Sequence, residues 1–204
     1  MRAINAYSKT GYREQPTLFL EFHGTQAGVE EQARLVQEIA DANGGMEFQW
    51  TTKAEERNKL WQARHDAYFA GLALRPGGKG MATDVCVPIS RLAECIIETR
   101  RDVDRAGLLA PIVGHVGDGN FHLVFVVDPD DADEMRRCRE VNERMVLRAL
   151  AMDGTCTGEH GIGYGKVDFL VAEMGEAVSV MRAIKGALDP DGILNPGKII
   201  RPLA

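Results

Sequence analysis

Residues 114–122 read GHVGDGNFH and join two apolar stretches, residues 111–116 and 121–127. An Asp-Gly pair between apolar stretches is a strong signal for a β-hairpin. With Asp118 and Gly119 at the tip of the turn, Val116 pairs with Phe121 and His115 pairs with His122. The two imidazoles then stand on one face with Cβ atoms about 5 Å apart. The stretch therefore predicts a hairpin that brings two histidines together.

Outward from this hairpin, the apolar residues alternate between the period of strands and the period of helices. We predict an α+β fold. Its strands cover residues 17–22, 46–51, 83–87, 111–116 and 121–127, and its helices cover residues 29–40, 54–74, 92–106 and 138–152, followed by two shorter helices and a turn at 189–192. The RPGGKG stretch at 75–80 and the glycine-rich segment 154–166 are expected to be irregular.

Composition excludes several classes of protein. The chain has 204 residues, 45% hydrophobic and 26% charged, as in ordinary globular proteins. A net charge of −6 without a basic run argues against nucleic acid as a partner. The longest fully apolar run, residues 123–127, is too short to cross a membrane. Four cysteines without a CxxC pair suggest neither a zinc ribbon nor a disulfide framework, so we expect a reducing compartment, the cytoplasm.

The glycine-rich segment adds Gly158-Glu159-His160-Gly161, an imidazole beside a carboxylate in a loop where backbone approaches a ligand closely. With His115 and His122 it suggests a His, His, Glu set, which is known from catalytic zinc sites. The alternatives are ordinary ones. The two hairpin histidines can be half-buried sheet residues that bond to their neighbours, and the loop can be a surface loop with a polar tip.

Arg64 lies three residues after Trp61 and four before Tyr68 on a predicted helix, and so points along an aromatic stripe. One interpretation is that its guanidinium reaches outward past apolar neighbours. The other is that it enters a cleft and binds a carboxylate with two parallel hydrogen bonds. A metal site nearby would favour the second interpretation.

Three motifs resemble, in the same order, the C-terminal half of FAD-linked oxidases of the D-lactate dehydrogenase and glycolate oxidase group. They are RHDA through RP to TDVCVP at 64–88, GHVGDGNFH at 114–122, and TGEHGIGYGK at 157–166. The closing LNPGK at 194–198 matches as well. The resemblance covers essentially the whole chain. Within the group, RPGGKGMATDVCVPISRL is most similar to the cytochrome-type D-lactate dehydrogenases.

The resemblance implies a ferredoxin-like antiparallel sheet with helices packed on one face, plus a C-terminal helical segment. It divides the chain into a substrate-domain α/β sandwich, residues 1–152, and a glycine-rich and helical segment, residues 153–204, that returns to the flavin domain. It also implies roles for individual residues: metal ligands His115, His122 and Glu159 for zinc or manganese, catalytic base His160, substrate-carboxylate residue Arg64, and a flavin contact at Asn195.

These residue types suit the oxidation of a 2-hydroxy acid. A metal polarises the hydroxyl oxygen, an imidazole takes the proton near neutral pH, and an arginine binds the substrate carboxylate. The family binds FAD mainly through a separate N-terminal domain, which these residues do not resemble. We therefore expect the chain to be a fragment whose partners are that domain, a small 2-hydroxy acid and an electron acceptor that the sequence does not identify.

At one position that bears on substrate choice, the sequence differs from a branch of the family. The D-2-hydroxyglutarate branch of the family carries a lysine two residues before the aspartate of the third strand, where this chain has Ala82. This lowers the expectation of a dicarboxylate substrate, although Lys79 is a possible substitute. Two rival hypotheses remain at this stage. One is a flavin-independent His/His/Glu metal hydrolase, and the other is a non-catalytic interaction module.

Overall fold

The computed structural model describes residues 1–201 and divides into two compact units, Met1–Leu74 and Arg75 onward. The boundary predicted between residues 152 and 153 differs from this division and stays a prediction about domain organisation. None of the helices among the described residues is long and apolar enough to cross a membrane.

The first unit is helical. It contains α1 (Arg2–Ser8), α2 (Gln26–Ala42), α3 (Ala54–His65) and α4 (Ala67–Leu72). The side chain of Thr25 caps α2 by accepting a hydrogen bond from the N–H of Gly28, and Asn43 ends the helix. The predicted helix over 54–74 is confirmed as two consecutive helices, α3 and α4, whereas α1 was not predicted.

The two strands predicted in this unit are wrong. Residues 17–22 and 46–51 run without ladder partners among the described residues and line a cavity of about 1590 Å³. Leu18 and Leu20 are 64% and 47% exposed. An alternating apolar pattern indicates a strand only where a neighbouring strand completes the backbone hydrogen bonds, and in this unit no such strand is present among the described residues.

The second unit is built around one long, fully buried strand. Its strands are β1 (Lys79–Ala82), β2 (Val85–Cys86), β3 (Ile112–His115) and β4 (Asn120–Val127). All three others pair antiparallel with β4. β1 and β2 share one edge in a continuous register, from Lys79 opposite Val127 to Cys86 opposite Asn120, and β3 takes the other edge. Contrary to the prediction, Lys79 and Gly80 belong to a strand, because this register extends to the end of β4.

Helices cover one face of this sheet. α5 (Ile89–Arg105) and α6 (Ala132–Ala151) pack on the side that carries Phe121, Leu123 and Phe125, all fully buried. Burying a side chain of this size contributes roughly 1.5–3 kcal/mol. The chain continues through α7 (Val167–Met174) and α8 (Ala177–Leu188). The α+β class with helices on one face of an antiparallel sheet is therefore confirmed.

The hairpin register differs from the predicted one by two residues. His115 pairs with Asn120 and Val113 pairs with His122. The turn is longer than expected, because Val116–Asp118 forms one 3₁₀ turn that ends at Gly119 with φ of 76°. Since side chains alternate between faces, a shift of two residues keeps His115 and His122 on the same face. The predicted juxtaposition of the two histidines survives the error in register.

Candidate metal and active site

His122 is held in one orientation by the backbone of the neighbouring strand. It lies on the sheet face opposite α5 and α6, and its side chain is 9% exposed. Its Nδ1 lies 2.8 Å from the carbonyl oxygen of Thr83, so Nδ1 carries the hydrogen that it donates. The other ring nitrogen, Nε2, faces Oε1 of Glu159 at 2.9 Å, and it is the atom that His122 can offer to a metal. A backbone carbonyl on the second ring nitrogen is the usual arrangement for a histidine that binds a metal through the first.

His115 and Glu159 complete a group of three donors. The ring centroids of His115 and His122 are 6.4 Å apart. One donor atom each from His115, His122 and Glu159 lies within 4.8 Å of the other two, and His115 and Glu159 are exposed. The structure thus brings together the three predicted metal ligands.

This donor set fits a divalent metal. Two neutral imidazoles and one carboxylate form a known catalytic zinc combination that leaves a position open, and imidazole and carboxylate together also suit manganese. A second group, Asp84, His122 and His160, meets the same distance criterion. It is the weaker candidate, because Oδ2 of Asp84 already accepts hydrogen bonds from several protein donors, and Oδ1 faces Nδ1 of His122, which the carbonyl of Thr83 engages.

His160 lies directly on the cluster. Its ring stacks on that of His122 at a centroid distance of 4.9 Å and an interplanar angle of 13°. Its Nε2 is 3.7 Å from Oε1 of Glu159, and its side chain is 46% exposed. The imidazole is therefore both beside the candidate metal ligands and accessible to a small molecule.

Asp84 is the residue of this site that sequence reasoning missed. It is 1% exposed, on the strand edge opposite His122, and it contacts the glycine-rich segment. Burial alone would raise the pKa of its carboxyl, but hydrogen bonds from the N–H of His160 and from Lys166, Asn120 and Thr157 lower it well below its usual range. The carboxylate is therefore ionised. An acidic residue among apolar residues of a predicted strand is a signal in itself, because a buried charge requires partners.

Asn120 joins Asp84 to the sheet. Its Nδ2 donates to Oδ1 of Asp84 at 2.8 Å and to the carbonyl of Val85 at 3.0 Å, which fixes the orientation of the carboxamide. Among the described residues no donor reaches its buried Oδ1. An unpaired acceptor beside the strand position of His115 is what a site for a polar ligand requires.

Two further predicted residues lie away from the cluster in sequence. Arg64 is on α3 in the first unit and is partly buried. Asn195 is exposed, has φ of 45°, and its Oδ1 accepts a hydrogen bond from Lys198 at 2.9 Å. The roles predicted for both residues stay predictions.

The sheet register places Ala82 and Lys79 on opposite faces of the sheet. Ala82 pairs with Val124, two residues along β4 from His122, and so shares the face of the histidines. Lys79 pairs with Val127 and belongs to the opposite face, which α5 and α6 cover. The strand edge next to His122 therefore presents a methyl group where a cation would serve a second carboxylate.

Comparisons with known proteins agree with this arrangement. The profile of one family, described as FAD linked oxidases, C-terminal domain, matches residues 1–199. The probable mitochondrial D-lactate dehydrogenase of Danio rerio is 52% identical over 201 residues, 98% of this chain and 40% of that protein. The mitochondrial D-lactate dehydrogenase [cytochrome] of Arabidopsis thaliana is 45% identical over 203 residues, 99% of this chain and 36% of that protein.

Structural comparison supports the fold. The 4-ethylphenol oxidase of Gulosibacter chungangensis aligns with a TM-score of 0.56 and 18% identity over 88% of this chain and 38% of that one. The chain spans well under half the length of the relatives it matches. Their names place them in mitochondria, so they do not support the predicted cytoplasmic location. The family match also does not favour the flavin-independent hydrolase or the non-catalytic module.

Proposed function

Because this chain belongs to the family of FAD linked oxidases, C-terminal domain, we propose that it is the substrate- and metal-binding part of an FAD-dependent D-2-hydroxy acid dehydrogenase that acts on D-lactate and similar small acids. The observation that carries the proposal is the convergence of His115, His122 and Glu159 with the stacked imidazole of His160. Relatives at 45–52% identity are named D-lactate dehydrogenases, which supports the choice of substrate.

His115, His122 and Glu159 would hold zinc or manganese. When bound, the metal would polarise the hydroxyl oxygen of the substrate and so lower the cost of its anion. His122 contributes Nε2, because the carbonyl of Thr83 keeps the hydrogen on Nδ1. Glu159 adds a negative charge that offsets part of the charge of the ion.

His160 would take the hydroxyl proton at Nε2, the ring nitrogen on the side of Glu159. A positioned imidazole contributes about 10²–10⁴-fold to such a proton transfer. FAD, when bound, supplies the acceptor for the hydride. On the family resemblance, Arg64 would bind the substrate carboxylate through its two-pronged guanidinium, and Asn195 would contact the flavin.

Preference for a small monocarboxylate is supported by the register of β1. A dicarboxylate would bring a second anion to the histidine face, where Ala82 offers no cation and Lys79 belongs to the other face. A small monocarboxylate brings no second anion, and this strand edge therefore favours acids such as D-lactate over dicarboxylates.

The test uses the flavoprotein that carries this chain, with D-lactate, L-lactate and an artificial electron acceptor. We expect turnover of the D-acid, and a loss of about 10²–10⁴-fold in kcat for His160→Gln with metal content unchanged. His122→Ala should lose the metal, measured by elemental analysis after reloading with zinc or manganese. His23→Gln, an exposed histidine of the first unit, serves as the matched control. Full activity of His160→Gln, or full metal retention by His122→Ala, would refute the proposed roles.

A further inference from the structure

We infer that Asp84 is the positioning residue of this site, because its carboxylate binds the backbone that carries Glu159 and His160 and thereby sets both side chains against His122. The meaning of this placement for catalysis rests on the proposed function. The placement itself does not, since it is a property of the folded chain.

The contacts are made to consecutive backbone groups. Oδ2 of Asp84 accepts the N–H of Gly158 at 3.0 Å, of Glu159 at 3.2 Å and of His160 at 3.0 Å, and the hydroxyl of Thr157 at 2.9 Å. Successive N–H groups that converge on one point form an anion-binding concavity. Here the anion is supplied by the protein itself, so the loop is ordered around an internal carboxylate.

The Asp84 side chain is also bound to the sheet, and an ammonium group offsets its negative charge. Oδ1 accepts from Nδ2 of Asn120 at 2.8 Å and lies 3.8 Å from Nδ1 of His122. Nζ of Lys166 donates both to Oδ2 at 3.0 Å and to the backbone carbonyl of Asp84 at 2.9 Å. One carboxylate oxygen thus faces the loop and the other faces the sheet, which leaves Asp84 as the link between the two.

This arrangement separates the positioning role from a role as metal ligand. Oδ2 accepts three backbone N–H groups, a hydroxyl and an ammonium, and so has little remaining capacity to bind a metal. Oδ1 faces Nδ1 of His122, which is engaged by the carbonyl of Thr83 and offers no lone pair to a shared metal. A positioning residue keeps residues 157–160 ordered even when no metal is bound. A ligand would act on metal affinity and leave the order of the metal-free loop unchanged.

The experiment compares Asp84→Ala and Asp84→Asn in the full chain, with Thr157→Val as a milder change on the loop side. Amide hydrogen exchange of residues 158–160 is measured on metal-free protein. Affinity is then measured for Zn²⁺ against a competing chelator, and the visible spectrum is recorded for bound Co²⁺. Asp102→Asn is the matched control, because Asp102 is an equally buried carboxylate, 2% exposed, whose partners are arginines such as Arg148.

We expect the amides of residues 158–160 to exchange faster in Asp84→Ala, with zinc affinity reduced about 10–100-fold and an altered Co²⁺ spectrum. Asp84→Asn, which keeps one acceptor oxygen, should lie between Asp84→Ala and the unmutated chain, and Thr157→Val should show a smaller change in the same direction. Asp102→Asn should lower the melting temperature without a selective effect on these amides.

Unchanged exchange at residues 158–160 in both Asp84→Ala and Thr157→Val would overturn the inference. Unchanged exchange in Asp84→Ala together with lost zinc affinity would identify Asp84 as a ligand instead. If the unmutated chain binds no metal, the proposed metal site is wrong, but the exchange measurement still decides the positioning role.

Discussion

Replacing Gly158 with alanine would place a methyl group between the glycine-rich loop and the sheet. An ideal Cβ at this position lies 1.9 Å from Nδ2 of Asn120 and 2.9 Å from Oδ1 of Asp84. Since favourable contacts between heavy atoms begin near 3.5 Å, the loop or the carboxamide must move by roughly 1.5 Å. The carboxamide resists this movement, because it is buried and donates to both Asp84 and Val85.

The loop is therefore the part that moves. Displacement by this amount takes the N–H of Gly158 out of reach of Asp84, to which it is bonded at 3.0 Å. Overpacking of this kind costs about 1–3 kcal/mol. For a chain of this length, each kcal/mol lowers the melting temperature by about 2–4 °C, so we expect a decrease of roughly 2–12 °C. Zinc affinity should fall about 10–100-fold, since Glu159 is the next residue.

The assay is thermal unfolding followed by circular dichroism, with and without zinc, together with chelator competition. Gly165→Ala in the same loop is the control, because nothing lies within 4 Å of its added Cβ and its φ is not positive. A change from glycine to alanine at such a position is neutral or slightly stabilising. A Gly158→Ala protein with the stability and zinc affinity of the Gly165→Ala protein would refute the argument from loop contact.

Three further predictions follow from the described contacts. In the flavoprotein, D-lactate should exceed D-2-hydroxyglutarate about a hundredfold in kcat/KM, because a second buried carboxylate without a partner costs several kcal/mol and about 1.4 kcal/mol is tenfold in rate. Ala82→Lys should narrow the ratio while Lys79→Ala leaves it unchanged, and equal efficiency on both acids in the unmutated enzyme would contradict the assignment. Burial raises the pKa of Asp102, but hydrogen bonds from Arg148 and Arg105 lower it further, to below its ordinary value. The folded pKa is then below the unfolded value of about 3.9, so this stabilisation is complete above that pH and is lost as the pH falls. Urea midpoints should drop more steeply below about pH 4 in the unmutated chain than in Asp102→Asn, and parallel profiles would argue against the ion pairs. Burial raises the pKa of the Cys138 thiol to about 11 and of the Cys156 thiol to about 12. Iodoacetamide at about pH 8 should therefore label the partly exposed Cys86 first, and equal labelling of all four cysteines in the native protein, seen by mass spectrometry, would contradict the described burial.

Sequence periodicity predicts most of the second unit because its core repeats at regular intervals. Leu92, Cys95, Thr99 and Val103 form one stripe in the sequence and are all buried on α5. The sequence predicts the hairpin but not the length of its turn. Asp118 and Gly119 signal a turn and Gly117 is compatible with it, but the apolar Val116 continues the strand pattern although it belongs to the 3₁₀ turn.

The missed features depend on partners that are distant in the sequence. The partners of Asp84 lie between 36 and 82 positions later in the sequence, so the local pattern can mark it as a buried acid but cannot identify what it binds. Residues 17–22 have the composition of a strand, but strand formation requires a neighbour that the pattern does not identify. Local signals thus locate the candidate metal ligands, whereas the residue that supports them emerges only from the fold.

The distance in sequence between Asp84 and the loop it holds has a consequence for how the protein matures. Closing a loop of this length costs conformational entropy, which is offset only when the contacts between Asp84 and the glycine-rich segment and the core around them have formed. The donor residues of the proposed metal site therefore come together only after β4 and the glycine-rich segment have met, and a metal would bind late in folding. Its binding free energy would then add to the stability of the folded chain alone.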